Sequence, residues 1–134
     1  MRPKSLLVII FSLCLFACAE KSPDAPDAQR IEHVVLCWLK DHGNEAQRQK
    51  VIVESRKFAE IPGVLQVRVG EALPSERAIV DDSFDVGVIM SFGSVADMNR
   101  YIAHESHVRI VKEKLMPLLA KIVVYDIIKK PAEK

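Results

Sequence analysis

The sequence predicts a single small α+β domain with the element order β-α-β-β-α-β. Two observations support this prediction. Short runs rich in β-branched and aromatic residues are typical of strands, and two polar capping residues are each followed by apolar residues at helical spacing. The chain has 134 residues. About 100 of them remain once an N-terminal signal and linker are set aside, which is the size of one domain.

The first half of the domain contains a strand and a helix. Residues 31–39 (IEHVVLCWL) predict the first strand, and because both of its faces are largely apolar, we expect both to be covered. Asn44, with Gln47 three residues later, predicts the start of the first helix. Pro62 and Gly63 end that helix. The residues expected on one face of it are Val51, Ile52, Ser55, Phe58 and Ala59.

The second half continues with two strands, a helix and a last strand. The predicted segments are a strand over 64–70, a loop over 71–83, a strand over 84–92 and a strand over 122–128. Ser94 and Asp97 predict the start of the second helix, which breaks near His104 before another helical segment. This order is the ferredoxin-like arrangement, in which a four-stranded antiparallel sheet carries both helices on one face.

The uncovered sheet face of such a fold predicts a partner. Either His33, Val35 and Cys37 or their opposite neighbours lie on that face, and both sets are apolar enough to require cover. We therefore expect a homodimer that packs sheet against sheet.

Composition narrows the function classes. Two of the 19 basic residues, Arg2 and Lys4, lie in the N-terminal signal, which leaves 17 against 18 acidic residues and a net charge of about −1. That balance gives no basis for nucleic-acid binding, and we expect none. Cys37 is the one cysteine within the expected domain, so no intramolecular disulfide framework is expected there.

The N-terminus has the features of an export signal. Residues 1–18 combine a basic start, an apolar run and a lipobox that ends in Cys18, which predicts lipidation of this cysteine. Residues 19–30 are rich in proline and acidic residues and predict a flexible tether. Lipidation would anchor the protein at the periplasmic side of the outer membrane. The alternative is ordinary cleavage before Glu20, which would give a soluble periplasmic or secreted protein.

Several motifs resemble one known family. Residues 33–36 (HVVL), 61–64 (IPGV), 101–108 (YIAHESHV) and 116–118 (MPL) resemble the stress-responsive A/B barrel family, within the dimeric α+β barrel superfamily. The resemblance covers residues 31–128 and leaves 129–134 as a tail. It implies a dimeric α/β barrel. Glu105 stands where the family pattern has proline.

The resemblance also implies a site. A plant member of the family, a polyketide cyclase, uses a tyrosine and a histidine that correspond to Tyr101 and His107, with His33 in the pocket. We therefore expect a pocket that includes His33, Val35, Tyr101, His104 and His107, with His107 as a base and Tyr101 as a hydrogen-bond donor. In the alternative interpretation both are structural, and His107 bonds the backbone across the helix break.

Two functional hypotheses follow, neither with a cofactor. In the first, the chain is an exported homodimer that is structural or binds a small apolar or aromatic molecule. In the second, it is a cofactor-free enzyme of the cyclase, isomerase or monooxygenase type. His104 and His107 have the spacing of two metal ligands, but no acidic or cysteine ligand follows at a suitable spacing, so no metal site is expected.

Overall fold

A computed structural model describes residues 30–130. Its elements are β1 (Ile31–Leu39), α1 (Glu45–Arg56), a 3₁₀ turn (Lys57–Glu60), β2 (Val64–Glu71), β3 (Val86–Phe92), α2 (Val95–Ala103), α3 (Glu105–Ile110), a π-helical turn (Val111–Leu115) and β4 (Leu119–Ile128). The predicted order is confirmed, and the second helix is divided into α2 and α3. The signal, Cys18, most of the tether and the last four residues lie outside the described residues. Within 30–130, no helix is long and apolar enough to cross a membrane.

The four strands form one antiparallel sheet in the order β2-β3-β1-β4. β1 is central and pairs with both β3 and β4, so Ile31 lies between Phe92 and Ile128. The ferredoxin-like fold predicted from the sequence is therefore confirmed.

The helices cover one face of the sheet, and the hydrophobic core lies between the two layers. That face carries His33, Val35 and Cys37, which settles which β1 residues are covered. The buried core residues from the strands are Ile31, Cys37, Leu39, Val86, Val88, Met90, Phe92 and Leu119. Those from the helices and turns are Val51, Ile52, Phe58, Ile61, Met98, Tyr101, Ile110 and Leu115.

The opposite face of the sheet is not covered by any helix of residues 30–130. Its apolar side chains are Val34, Leu36, Ile89, Val123, Tyr125 and Ile127. Glu32 lies among them and accepts hydrogen bonds from Arg68 Nη2 at 2.9 Å and from Ser91 Oγ at 3.0 Å. This face is thus apolar with an internally paired polar cluster, which suits it to burial against a second surface.

Some element boundaries differ from the sequence prediction. α1 ends at Arg56, and a 3₁₀ turn replaces its last turn before Pro62. β3 begins at Val86 rather than at Phe84, and the Asp85 side chain just before it bonds to Leu39, at the end of β1, and to Gly43. β4 begins at Leu119, three residues early, because its start pairs with the end of β1 beyond a bulge. β2 extends one residue further than predicted, to Glu71.

Asp85 joins the end of β1 to the start of β3. Its carboxylate is buried and accepts hydrogen bonds from the backbone N–H groups of Leu39 and Gly43, both at 2.8 Å, and lies 3.0 Å from His42 Nδ1. Burial alone would raise the pKa of Asp85, but these donors lower it below the ordinary value. Gly43 has a φ of +77°, a left-handed conformation that favours glycine at this turn.

We predict that Asp85→Asn lowers the free energy of unfolding by about 3 kcal/mol, because an amide cannot replace a charged acceptor of two backbone N–H groups. Since the pKa of Asp85 is lowered by folding, its stabilisation is present at neutral pH. That stabilisation is lost as the pH falls through the lowered pKa. Urea unfolding followed by circular dichroism at several pH values measures both effects.

Asp81→Asn is the matched control for this experiment, because Asp81 accepts a backbone bond from Ser83 at the surface. The free energy of unfolding of the Asp81→Asn variant should change little. A loss of stability as large as that of Asp85→Asn would contradict the special role of Asp85, as would a difference from wild type that does not shrink in acid.

Candidate functional site

A pocket of about 250 Å³ lies between the covered sheet face and the helices. Its apolar walls are formed by Val35, Phe58, Val88, Met90, Ile102, Val111, Leu115, Leu119, Ile122 and Val124. Its polar lining residues are His33, Ser55, Tyr101 and His107, with the thiol of Cys37. Small-molecule sites are usually apolar enclosures that contain a few polar groups.

The break between α2 and α3 shapes this pocket. His104 adopts an extended backbone (φ −68°, ψ 136°), and its Nδ1 accepts the N–H of Ser106 at 3.2 Å, which begins α3. As a result, Tyr101 and His107 lie together although they are six residues apart, with 4.5 Å between ring centroids. Glu105 takes the first position of α3, where proline is also well tolerated, so its replacement of proline leaves the break intact.

Tyr101 presents a hydroxyl inside the protein. Its side chain is completely buried and packs edge-on against Phe58, with 5.7 Å between ring centroids, and in a tilted arrangement against Phe92 at 5.1 Å. No hydrogen-bond partner for its hydroxyl is found within residues 30–130. Burial raises the pKa of Tyr101, so the phenol keeps its proton at neutral pH. Tyr101 is therefore a neutral donor without an acceptor, at the wall of a pocket.

His107 is half-buried and held by the backbone. Its Nδ1 lies 2.9 Å from the carbonyl oxygen of Ile102, so Nδ1 donates a proton to this bond and Nε2 is the proton acceptor of the neutral ring. Burial lowers the pKa of His107 below its ordinary value, against the Ile102 carbonyl, which raises it. This bond across the helix break is the one that the structural interpretation of His107 predicts. It also orients a neutral imidazole whose Nε2 can accept a proton.

His33 pairs with a carboxylate that the local sequence pattern does not indicate. The His33 ring is buried, and its Nδ1 lies 2.6 Å from Asp126 Oδ1 on the neighbouring strand β4. Because a carboxylate only accepts, Nδ1 carries the proton of this bond. The His33 ring also meets Tyr101 edge-on at 6.3 Å between centroids, so the two histidines and the tyrosine border one space.

The other two candidate residues, Val35 and His104, do not border the same space. Val35 lines the pocket wall. His104 lies at the helix break and borders a different cleft, which it shares with Lys57 and Arg109. Within residues 30–130, no group of three or more histidine, cysteine, aspartate or glutamate side chains is arranged to hold a metal ion. Burial raises the pKa of Cys37 to about 11, so this pocket thiol is protonated and unreactive at neutral pH.

The fold and the pocket define the class of protein: a ferredoxin-like α+β domain with an apolar, histidine- and tyrosine-lined site beneath its helices. The family model of the stress responsive A/B barrel domain matches residues 31–129. The chain therefore belongs to the stress responsive A/B barrel family, and the resemblance seen in the sequence is confirmed.

Relatives with known sequence or structure agree with this assignment. A stress-response A/B barrel domain-containing protein of Arabidopsis thaliana is 30% identical over 105 residues, which cover 78% of this chain and 39% of that relative. A family protein with a ferredoxin-like fold from Mesorhizobium loti has a TM-score of 0.63 at 24% identity, covering 77% of this chain and 99% of the other.

Two further solved structures have the same fold. A hydroxynitrile lyase from Passiflora edulis has a TM-score of 0.66 at 22% identity, and the match covers 80% of this chain and 99% of the lyase chain. A dimeric ferredoxin-like protein of unknown function from Thermobifida fusca has a TM-score of 0.63 at 21% identity, covering 78% of this chain and 95% of its own.

We predict that Asp126 fixes the tautomer of His33. In the wild type, the neutral form of the His33 ring should carry its proton on Nδ1, and Asp126→Ala should shift the population of this form toward the Nε2–H tautomer because the acceptor is gone. Long-range ¹H–¹⁵N NMR of the ring nitrogens reports the tautomer. The ring of His107, which bonds to Ile102 instead, is the internal control and should not change. A His33 tautomer that is the same in both proteins would contradict the pairing.

Proposed function

We propose that this protein binds a small, mostly apolar molecule that carries a carbonyl-type oxygen. The single observation that supports this most strongly is the buried hydroxyl of Tyr101, a residue that borders an apolar pocket, because this hydroxyl has no acceptor within the described domain. Buried hydroxyl groups nearly always have a partner, so the acceptor is expected from a ligand. A volume of about 250 Å³ lies near the low end of ligand pockets and suits one aromatic ring with a short substituent.

A second candidate function is proton transfer next to a carbonyl group. The neighbouring positions of Tyr101 and His107 favour it, because Tyr101 would donate to the carbonyl oxygen while His107 Nε2 takes a proton from the adjacent carbon. The product is an enolate stabilised by the Tyr101 hydroxyl and an imidazolium at His107. One protein with this fold is a hydroxynitrile lyase, so the fold is compatible with enzymatic chemistry.

Acetophenone tests both candidate functions. It is an apolar molecule with one aromatic ring, and its carbonyl group lies beside exchangeable methyl protons. We expect it to bind the full-length protein in calorimetry, and Tyr101→Phe to weaken binding about threefold to tenfold through loss of one hydrogen bond. In D₂O, we expect the wild type to accelerate exchange of the methyl protons, measured by NMR. His107→Ala should slow the catalysed exchange by about 100-fold or more.

Val108→Ala is the control for His107→Ala, because Val108 is the exposed neighbour and should leave exchange unchanged. If acetophenone binds but its methyl protons exchange no faster than in buffer, the binding function stands and the catalytic function is contradicted. Equal exchange rates in wild type and His107→Ala would contradict the role of His107. A wild type that does not bind acetophenone contradicts the proposed ligand class.

We propose that two copies pack together through the uncovered sheet face. Solved structures of the same fold from Thermobifida fusca, Bacteroides fragilis and Jannaschia are dimeric. The support from this chain is the apolar face around Val34, Leu36 and Ile89. Glu32 on this face is already paired with Arg68, so its charge would not be unpaired when the face is buried. Such a dimer would place one pocket in each half, beneath the outer helices.

We predict that Ile89→Arg converts the dimer to a monomer in size-exclusion chromatography with light scattering, because it buries an unpaired charge at the centre of the interface. Val53→Arg is the matched control, because Val53 is about half exposed on α1, away from this face. The control should stay dimeric. A wild type that is monomeric, or an Ile89→Arg variant that is dimeric, would contradict the sheet-to-sheet interface.

We also propose that the protein is exported and anchored to a membrane through lipidated Cys18, on the periplasmic side of the outer membrane. The support comes from the sequence of residues 1–18 and from the tether after it. The mass of the mature N-terminal peptide tests this: an acylated Cys18 supports the anchor, and an N-terminus at Glu20 contradicts it.

A further inference from the structure

We propose that the Ser55 hydroxyl is a second polar contact for the ligand, so that the preferred ligand carries a hydroxyl group in addition to its carbonyl oxygen. This inference rests on the proposed binding function of the pocket. It adds a specificity-determining residue on α1, a wall of the pocket different from the one that carries Tyr101 and His107.

The first support is the state of the Ser55 side chain. Ser55 is completely buried and lines the pocket, and no atom in the described part of the chain makes a hydrogen bond with its Oγ. A serine inside a helix usually points to solvent or bonds a carbonyl one turn earlier. Ser55 does neither, although it shares its buried face with Val51 and Ile52. A buried hydroxyl without a partner indicates a partner that comes from outside the chain.

The second support is the position of Ser55 relative to the other polar groups. It lies one helical turn before Phe58, whose ring is 5.7 Å from that of Tyr101 and 5.5 Å from that of His107, between centroids. Residues three apart on a helix share a face, so Ser55 and Phe58 meet the pocket side by side. The pocket therefore offers polar groups on two walls, with Phe58 next to both.

The chemistry of these groups indicates the class of ligand. Tyr101 offers a donor and suits a carbonyl oxygen, whereas a serine hydroxyl both donates and accepts and suits a hydroxyl group. The remaining walls are apolar and suit a ring. A small hydroxylated aryl ketone combines all three features.

The experiment titrates acetophenone and its 2-, 3- and 4-hydroxy derivatives into full-length wild type, Ser55→Ala and Tyr101→Phe, followed by calorimetry. We expect one hydroxy isomer to bind the wild type roughly three- to tenfold more tightly than acetophenone, as one net hydrogen bond would give. In Ser55→Ala this ratio should fall to about one. Tyr101→Phe should weaken all four ketones by a similar factor and keep the ratio.

Two controls separate this role from a structural one. Ser106→Ala changes a serine on α3 that borders the other cleft, and it should keep the wild-type ratio. Thermal unfolding without ligand should give Ser55→Ala a midpoint equal to or above that of the wild type, because the removed hydroxyl has no partner to lose. A lower midpoint would reveal a structural partner, such as a buried water, and overturn the inference.

The binding outcomes distinguish the two levels of the proposal. If the ketones bind but no hydroxy isomer is preferred, or if Ser55→Ala keeps the preference, the role of Ser55 is overturned and the binding function stands. If none of the four ketones binds the wild type, the proposed function fails, and the inference that rests on it is overturned with it.

Discussion

The central strand β1 is apolar on both faces, while the helices of the domain cover only one of them, and the rest of the structure depends on this constraint. The covered face, with His33, Val35 and Cys37, forms the core and the floor of the pocket. The opposite face, with Val34 and Leu36, requires a different cover. The pocket and the proposed dimer interface thus lie on the two sides of one strand, because successive side chains of a strand alternate between faces.

The break at His104 brings two polar side chains together beside the pocket. In an unbroken helix, residues six apart point in different directions, so Tyr101 and His107 would not meet. The extended backbone at His104 and its bond to Ser106 bring their rings together. The backbone bond from His107 to Ile102 is at once a structural tie across the break and the reason why Nε2 is the basic nitrogen. The structural and catalytic interpretations of His107 therefore describe the same geometry.

Much of this could be predicted from the sequence, because element order and the helix break depend on local signals. Capping residues such as Asn44 and Ser94 mark helix starts, and both accept the expected backbone bonds. What the sequence could not show depends on long-range register. Asp126 faces His33 only because β1 and β4 pair in one register, and Asp85 reaches the turn after β1 across the sheet. The sequence predicts the helix face of Ser55 correctly, but the lack of a hydrogen-bond partner for its hydroxyl is a property of three-dimensional packing.

A crystal structure of the full-length protein purified from its own cells tests the central claim most directly. The proposed function predicts a dimer packed through the uncovered sheet faces, with density for a small molecule in each pocket, one oxygen of which lies within hydrogen-bond distance of the Tyr101 hydroxyl. A pocket closed by the protein's own side chains, with the Tyr101 hydroxyl bonded to another residue of the chain, would contradict it.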